Sequence, residues 1–291
     1  FGTFLSGLMT SINIITFYLN SFEFLLTGAD TNELFITQRL YLGFFIVISL
    51  IFSLERFYNT SNKNHKAAYL FLIFSFLIFL ILISSRSAIL IAFMVLITSF
   101  IYNSKSIKRT IVLMLTISVF LIMIFNNKTL SKRFLYADDS VRQSFIEKIK
   151  THEPRYDIWK FSSQIFEEQG SYVLGLGTYK TQELLIDKYK TMPIKKRSDW
   201  FIKRNFNTHN QYLDITLSYG FIGLIIFMVF IKEIIFSSYK NIYSFNLIIS
   251  LILFLFIENL FHRQLGAFIF SLIIVWAFYL TNTKNEKNIS S

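Results

Sequence analysis

Long apolar segments recur along this chain, and they limit its possible folds more than any other feature. A helix that crosses a lipid bilayer needs about 20 largely apolar residues, and somewhat fewer when its polar ends reach the headgroups. After a more ambiguous segment at 1–19, such segments lie at about 40–54, 67–83, 88–102, 110–125, 212–231, 245–257 and 265–280. The sequence therefore predicts an all-α fold, that of a polytopic helical membrane protein.

The composition also favours the bilayer as the main solvent of the chain. Hydrophobic residues make up 53%, with 35 Phe and 15 Tyr, whereas charged residues make up only 16%, which is too apolar for an ordinary soluble domain. The chain has no cysteine, so it can form neither a disulfide scaffold nor a cysteine-based metal site. Its net charge of +11 lies between hydrophobic runs rather than along one soluble face, so we predict no nucleic-acid partner.

The basic residues of the short connections predict the orientation in the membrane. One set of alternate connections holds ten Lys and Arg, namely Arg56, Lys63, Lys66, Lys105, Lys108, Arg109, Lys232, Lys240, Lys284 and Lys287. The opposite set holds three, Arg39, Arg86 and Arg263. Because cytoplasmic loops are enriched in basic residues, we predict transmembrane helices at 1–125, a large non-cytoplasmic loop at 126–208, and transmembrane helices with a short cytoplasmic tail at 209–291. The first residue lies inside an apolar stretch, so we expect that earlier spans are missing.

The long loop is basic and partly of helical period. It contains 16 Lys and Arg and 10 Asp and Glu, which gives 16 − 10 = +6 and suggests an anionic partner. Ile158, Phe161 and Ile165 recur at helical spacing. Helices of this kind either lie against the membrane face or form a cap that packs on the spans, and the sequence leaves both alternatives open.

Arg86 is the first candidate for chemistry. It lies in Ser84-Ser85-Arg86-Ser87, between two apolar runs at the predicted outer surface. A charge at such a position usually has a partner or lines a polar cavity, which makes it a functional candidate. The alternative is that Arg86 extends to the headgroups and only fixes the topology.

Arg155 is the second candidate, and it follows Pro154 directly. Proline at the first helical position predicts that a helix begins here. Arg155 would then lie in the first turn, where free backbone amides already favour a phosphate and a guanidinium adds bidentate contacts. The alternative is a surface salt bridge to Glu153 or Asp157.

His209 is the third candidate, in Thr208-His209-Asn210-Gln211-Tyr212, where the long loop is predicted to re-enter the membrane. An imidazole titrates near neutral pH, so it can accept a proton from a hydroxyl or orient it. The alternative is an interfacial histidine that caps the span. Gly220 and Gly223, further along this span, would permit close helix packing.

Other polar sets are weaker candidates. The acidic residues are too dispersed to form a metal-binding motif, so we predict no metal; they include Glu23, Asp30, Glu33 and the pair Asp138-Asp139. The segment Gly175-Leu176-Gly177 resembles a turn. His262 and Arg263, in the last outer connection, would either join the site or anchor the boundary of a span.

Several of these pieces occur in one telling order. They are Ser85-Arg86-Ser87-Ala88 before a span, Arg155 with Trp159, Gly175 and Gly177, and His209 to Leu213 followed by Gly220, Gly223 and Leu224. In this order they resemble the O-antigen ligase and polymerase superfamily. The resemblance covers about 40–280, and it is specific for the superfamily but not for the acceptor.

The resemblance implies a bacterial inner-membrane protein with a periplasmic cap. Members of the superfamily transfer a glycan from an undecaprenyl-diphosphate-linked donor without a metal or other cofactor. Ligases deliver it to lipid A-core, polymerases to another repeat unit, and related oligosaccharyltransferases to protein hydroxyls. By position, Arg86 and Arg155 match arginines thought to hold the diphosphate, and His209 matches a histidine thought to activate or orient the acceptor.

We therefore expect a ligase-like, inverting and metal-independent glycosyltransferase whose catalytic residues are His209, Arg86 and Arg155. The expected substrate-binding residues are Trp159, Lys160, Asn210, Tyr212 and Arg263. The expected partners are the donor, a lipid or glycan acceptor, and membrane lipid. A repeat-unit polymerase is the alternative within the enzyme class, and a lipid-linked glycan transporter or flippase is the alternative of another class.

Overall fold

The computed structural model describes residues 2–21, 38–103 and 153–289, together with the single positions 147 and 150. Within these residues every regular element is helical and no strand occurs. The α-helices are α1 (Gly2–Ser21), α2 (Arg39–Asn59), α3 (Lys63–Ile83), α4 (Arg86–Asn103), α5 (Pro154–Gln169), α6 (Thr178–Lys190), α7 (Lys195–Arg204), α8 (Gln211–Ser238), α9 (Ile242–Leu255) and α10 (Gln264–Ile289).

Five of the described helices are long and apolar enough to cross a membrane. They are α2, α3, α4, α8 and the part Gln264–Asn282 of α10, while α1 and α9 provide shorter apolar segments. The prediction of an all-α polytopic membrane protein is therefore confirmed. The predicted span at 110–125 lies outside the described residues, and the topological division at 125 and 208 stays a prediction.

The chain forms two compact units, and each is a body of its own. The first contains the described residues of Phe1–Val141 and Lys240–Ser250, and the second contains those of Arg142–Tyr239 and Leu251–Ser291. In the first unit α2 packs on α1, α3 and α4. At Gly43 of α2 an added Cβ would lie 2.8 Å from the Ser85 hydroxyl oxygen, so the small residue allows α2 to pass closely beside the start of α4.

Asparagine caps begin three of the helices. The side-chain oxygens of Asn62, Asn210 and Asn241 accept bonds from backbone amides in the first turns of α3, α8 and α9, at 2.9–3.4 Å. Such bonds satisfy amides that have no partner within the helix. The N-terminal residue that caps α8 is therefore Asn210. His209, which the sequence analysis considered as an alternative capping residue, lies one position before it.

The second unit contains a small helical domain with its own core, which we call the cap: α5, α6, α7 and residues 211–219 of α8. Its buried side chains are Ile158, Ile165, Leu185, Tyr189, Phe201 and Leu217. The predicted apolar stripe of α5 faces this core, with Phe161 packed edge-on against Tyr189 at a centroid distance of 6.0 Å. Each fully buried side chain of this size stabilises the cap by roughly 1.5–3 kcal/mol.

Helix α8 is interrupted at Gly220, where φ is 63° and ψ is −165°. A glycine adopts this conformation without the clash that a Cβ would cause. The residue was expected to allow close helix packing, but the backbone that approaches it is the loop between α5 and α6. The break divides α8 into a part that belongs to the cap and a longer apolar part that follows it.

Candidate functional site

A three-residue turn, Ile257–Asn259, contacts two of the predicted site residues. It follows α9 and leads through a short 3-10 helix (Leu260–His262) to α10. The carbonyl of Ile257 accepts bonds from Arg155, and the carboxylate of Glu258 bonds to the ring of His209. Each of these side chains is therefore bonded to the turn.

Arg155 is the second residue of α5, which begins at Pro154 as predicted. Its Nε and Nη2 both donate to the Ile257 carbonyl at 3.2 Å, and its Nη1 donates to Glu153 at 3.0 Å. A guanidinium has five N–H groups. These bonds use three of them, so two remain without a partner among the described residues and can bind a phosphate.

The contacts of Arg155 also bear on the alternative that it forms only a surface salt bridge. Arg155 does pair with Glu153, but Asp157 pairs instead with Arg197, whose Nη2 lies 2.7 Å from the carboxylate. Moreover, Arg155 bonds to a carbonyl 102 residues away in the chain. The ion pair is thus one contact of an arginine that is fixed from a second direction.

His209 has an unusual backbone conformation and a side-chain hydrogen bond to Glu258. Its φ is 45°, in a left-handed region that residues other than glycine seldom occupy, and its amide donates to the side chain of Asn207 at 3.0 Å. The ring packs edge-on against Phe206. Its Nδ1 lies 3.2 Å from Glu258 Oε2, while Nε2 has no hydrogen-bond partner among the described residues.

Glu258 orients the imidazole ring of His209 through the hydrogen bond to Nδ1. It is only 4% exposed, and its Oε1 has no hydrogen-bond partner among the described residues. Burial acts to raise the pKa of Glu258, but the hydrogen bond and charge of His209, with the charges of Arg263 and Arg155, outweigh burial and lower this pKa. An ionised carboxylate only accepts hydrogen bonds. As long as Glu258 is ionised, a neutral His209 bonded to it must donate from Nδ1, which leaves the lone pair on Nε2.

A second histidine and carboxylate lie beside the first pair. His262 Nε2 is 2.9 Å from Asp214 Oδ2, and the hydroxyl of Thr208 lies 3.4 Å from Asp214 Oδ1. The hydrogen bond to Asp214 raises the pKa of His262, and burial opposes this effect. Thr208 also accepts from Asn259 Nδ2 at 2.7 Å. These bonds fix the residue immediately before His209.

The predicted substrate-binding residues differ in how far their polar groups are already engaged. Trp159 donates its indole N–H to the Thr208 carbonyl at 3.0 Å, and the Tyr212 hydroxyl donates to the Ile252 carbonyl at 3.2 Å. Asn210 caps α8. The remaining two, Lys160 and Arg263, are exposed. Their roles in substrate binding stay predictions.

Arg86 is the first residue of α4, in the first unit, and is half-buried. It follows Ser84, whose φ of 53° ends α3. The sequence places Arg86 between two apolar runs, and these runs form α3 and α4. Its role in a site stays a prediction.

The carboxylates weighed as metal ligands, Glu23, Asp30, Glu33, Asp138 and Asp139, lie outside the described residues. Within the described ranges, no group of three or more His, Asp or Glu side chains is arranged to hold a metal ion.

Sequence reasoning did not single out Glu258, Asn259 or Asp214. Glu258 and Asn259 follow an apolar run, and a carboxylate at the end of such a run is costly unless it has a partner. The position of Glu258 at the end of an apolar run was therefore the only indication in the sequence that it has a partner. It became informative only when the structure joined Glu258 to His209 across 49 residues.

The span-length helices and the turn that bonds Arg155 and His209 define the class of this protein. It is a polytopic membrane protein that carries a polar site outside its apolar helices. A family model described as O-antigen ligase matches residues 70–228 of the chain. This match covers more than half of the 291 residues, and the chain belongs to the O-antigen ligase family. The predicted resemblance is thereby confirmed. A comparison with curated proteins found no match.

Proposed function

We propose that this protein transfers a glycan from undecaprenyl diphosphate to an acceptor hydroxyl, such as one of lipid A-core. The observation that carries the proposal is the Ile257–Asn259 turn, which holds both Arg155 and His209. An arginine suits a diphosphate, and a histidine whose Nε2 has no hydrogen-bond partner in the described part of the chain suits a hydroxyl. Family membership supports the same chemistry.

The bond changes follow from these two groups. The acceptor oxygen attacks the anomeric carbon of the donor, and the bond from that carbon to the phosphate oxygen breaks. The electron pair leaves with the diphosphate, whose added charge Arg155 binds through its two remaining N–H groups. The hydroxyl proton passes to Nε2 of His209, and Glu258 stabilises the resulting imidazolium.

Arg86 would provide a second positive charge in this proposal, by its match to the family pattern. With guanidinium groups to neutralise the diphosphate, the reaction would need no metal, so a chelator should leave transfer unchanged. A single displacement inverts the anomeric carbon. Product with retained configuration would contradict this step.

Reconstitution tests the function directly. Purified protein in vesicles, supplied with a polyprenyl-diphosphate oligosaccharide and a lipid acceptor, should form the lipid-linked product. Arg86→Ala should remove transfer without changing expression or membrane insertion. Near-normal product from this variant would exclude Arg86 from the proposed site.

The acceptor separates ligase from polymerase. A deletion strain that loses polymer on lipid A-core but accumulates lipid-linked polymer indicates a ligase. A strain limited to single repeat units indicates a polymerase.

The break at Gly220 bears on the transporter alternative, because broken spans are common in transporters. In transporters such breaks expose backbone groups to a substrate or an ion. Here the amides of Phe221 and Ile222 donate to the carbonyls of Tyr172 and Val173, at 2.8 and 3.3 Å. The break therefore holds a loop of the same chain. Movement of labelled donor across vesicles without product would favour the transporter.

A further inference from the structure

The loop Ser171–Gly177, between α5 and α6, is bonded to the broken helix by four backbone hydrogen bonds. Two amides of α8 donate to the loop, as described above. In return, the amides of Leu176 and Gly177 donate to the carbonyls of Leu217 and Ser218, at 2.9 and 2.8 Å. The loop thus takes up backbone groups that the break would otherwise leave unpaired inside an apolar helix.

Two glycines fix how closely the loop approaches. A Cβ at Gly175 would lie 2.5 Å from the backbone nitrogens of Tyr219 and Gly220, and a Cβ at Gly220 would overlap the Val173 carbonyl. Both glycines also have positive φ values, of 72° and 63°. The height of the loop along α8 is therefore set by backbone contact and cannot shift by a side-chain rearrangement.

The tip of this loop is apolar and exposed. Val173 is 60% exposed and Leu174 is 76% exposed. Phe166 connects the loop to the helix, because its ring packs edge-on against Tyr172 at 4.8 Å and against Phe221 at 5.6 Å. Adjacent apolar side chains at the tip of a loop are unfavourable in water, so a nonpolar environment is expected around them.

The tip is continuous with the exposed apolar face of α8. Beyond the break, Ile225 and Ile226 are 61% and 65% exposed, on a helix long and apolar enough to cross the membrane. Because Ile222 donates its amide to Val173, the loop tip lies level with the start of this face. Lipid that surrounds the helix would surround the tip as well.

The position of Lys232 indicates how deep the break at Gly220 lies in the bilayer. It is the first charged residue after Gly220, 232 − 220 = 12 residues further along α8, which corresponds to about 18 Å of helix. If Lys232 reaches the headgroups on the far side, Gly220 lies inside a hydrocarbon core of about 30 Å. It then lies in the leaflet nearer the cap.

We propose that the Tyr172–Leu174 tip inserts into the acyl-chain region of the leaflet on the cap side. The partner of this surface is bilayer lipid. Insertion would anchor the cap to the membrane at a height fixed by Gly175 and Gly220, and so hold the catalytic side chains at a constant distance from the bilayer.

Site-directed spin labelling tests this insertion, and the cysteine-free chain makes it simple. We would label Leu174→Cys in phosphatidylcholine vesicles and measure collisions with oxygen, which concentrates in acyl chains, and with a water-soluble nickel chelate. Ile226→Cys serves as the lipid-facing reference. Glu183→Cys, on the exposed surface of α6, serves as the aqueous reference.

The label at position 174 should give an oxygen-to-nickel collision ratio several times that at position 183 and close to that at position 226. A ratio like that at position 183 would overturn the proposal. Low collision rates with both reagents would also overturn it, because they would indicate protein rather than lipid around the tip. Should Leu174→Cys fail to reconstitute, Val173→Cys is measured in the same way. Neither measurement depends on the glycosyltransferase activity.

Discussion

The second unit contains two histidine–carboxylate pairs that differ in how completely they are satisfied. In the His262–Asp214 pair, one carboxylate oxygen meets the imidazole and the other meets the Thr208 hydroxyl. In the His209–Glu258 pair, one carboxylate oxygen has no hydrogen-bond partner among the described residues. The far ring nitrogen of each histidine also lacks one there. The carboxylate is therefore fully bonded in one pair, which we call closed, and half bonded in the other, which we call open.

The difference indicates a division of roles. Buried polar groups are normally hydrogen-bonded, and those left without a partner are often functional. The closed pair fixes Thr208, whereas the carboxylate of the open pair lies in the turn that also bonds Arg155. Replacing corresponding members of the two pairs should therefore have unequal effects on transfer.

The largest effect is expected from alanine at the two histidines. His209→Ala removes the proposed base and should lower the rate of transfer roughly 10²- to 10⁴-fold. His262→Ala leaves the base in place, and its rate should stay within a few-fold of wild type. Single-turnover assays on reconstituted protein measure both. Equal losses would show that the pairs are not distinct.

The arginine beside the open pair sharpens the comparison. Arg155→Lys keeps the charge but loses the planar fork, so we expect a loss on the order of ten- to a hundredfold. Arg197 is the matched control, since its side chain is 23% exposed against 27% for Arg155 and also pairs with a carboxylate. Arg197→Lys should leave the rate nearly unchanged. If both lysine variants lose the same activity, the fork of Arg155 has no special role.

Replacing the carboxylates of the two pairs, Glu258 and Asp214, by amides should have a smaller effect on transfer. Glu258→Gln removes the charge that orients and stabilises His209, and a hydrogen bond to a charged group contributes about 1.5–3 kcal/mol. We expect a loss of roughly tenfold or more in turnover with little change in melting temperature. Asp214→Asn should lower the melting temperature and change turnover little. A thermal-shift assay beside the transfer assay separates the two outcomes.

The smallest effect concerns pH. The pKa of His262 is raised by Asp214, so this pair contributes stability that is fully present below the unfolded pKa of about 6.5 and is lost as pH rises through the folded pKa. Glu258 and Arg263 also act on this imidazole, in opposite directions. The melting-temperature difference between wild type and His262→Gln should shrink from about pH 6 to pH 9. A constant difference would exclude the ionised pair.

The sequence was sufficient for the five span-length helices of the described residues and for the start of the helix that carries Arg155. Apolar length predicts a span without knowledge of its neighbours, and Pro154 predicts the first turn of α5 from local geometry. Such features depend on residues close in the chain.

The Ile257–Asn259 turn could not be predicted, because its bonds join residues 102, 49 and 51 positions apart. No periodicity in one segment indicates a partner in another. The break of α8 at Gly220 could not be predicted for the same reason. A glycine in an apolar run equally suits close helix packing, and only the loop that bonds to it shows why the helix is interrupted.

The central claim is that Glu258 keeps the proton of neutral His209 on Nδ1 and leaves Nε2 as the base. Nitrogen-15 NMR of protein labelled only at its four histidines measures this directly, with His209→Gln and His262→Gln assigning the signals. We predict that His209 is protonated on Nδ1 when neutral, and that His262, which meets Asp214 through Nε2, is protonated on Nε2. A neutral His209 with its proton on Nε2 would contradict the account.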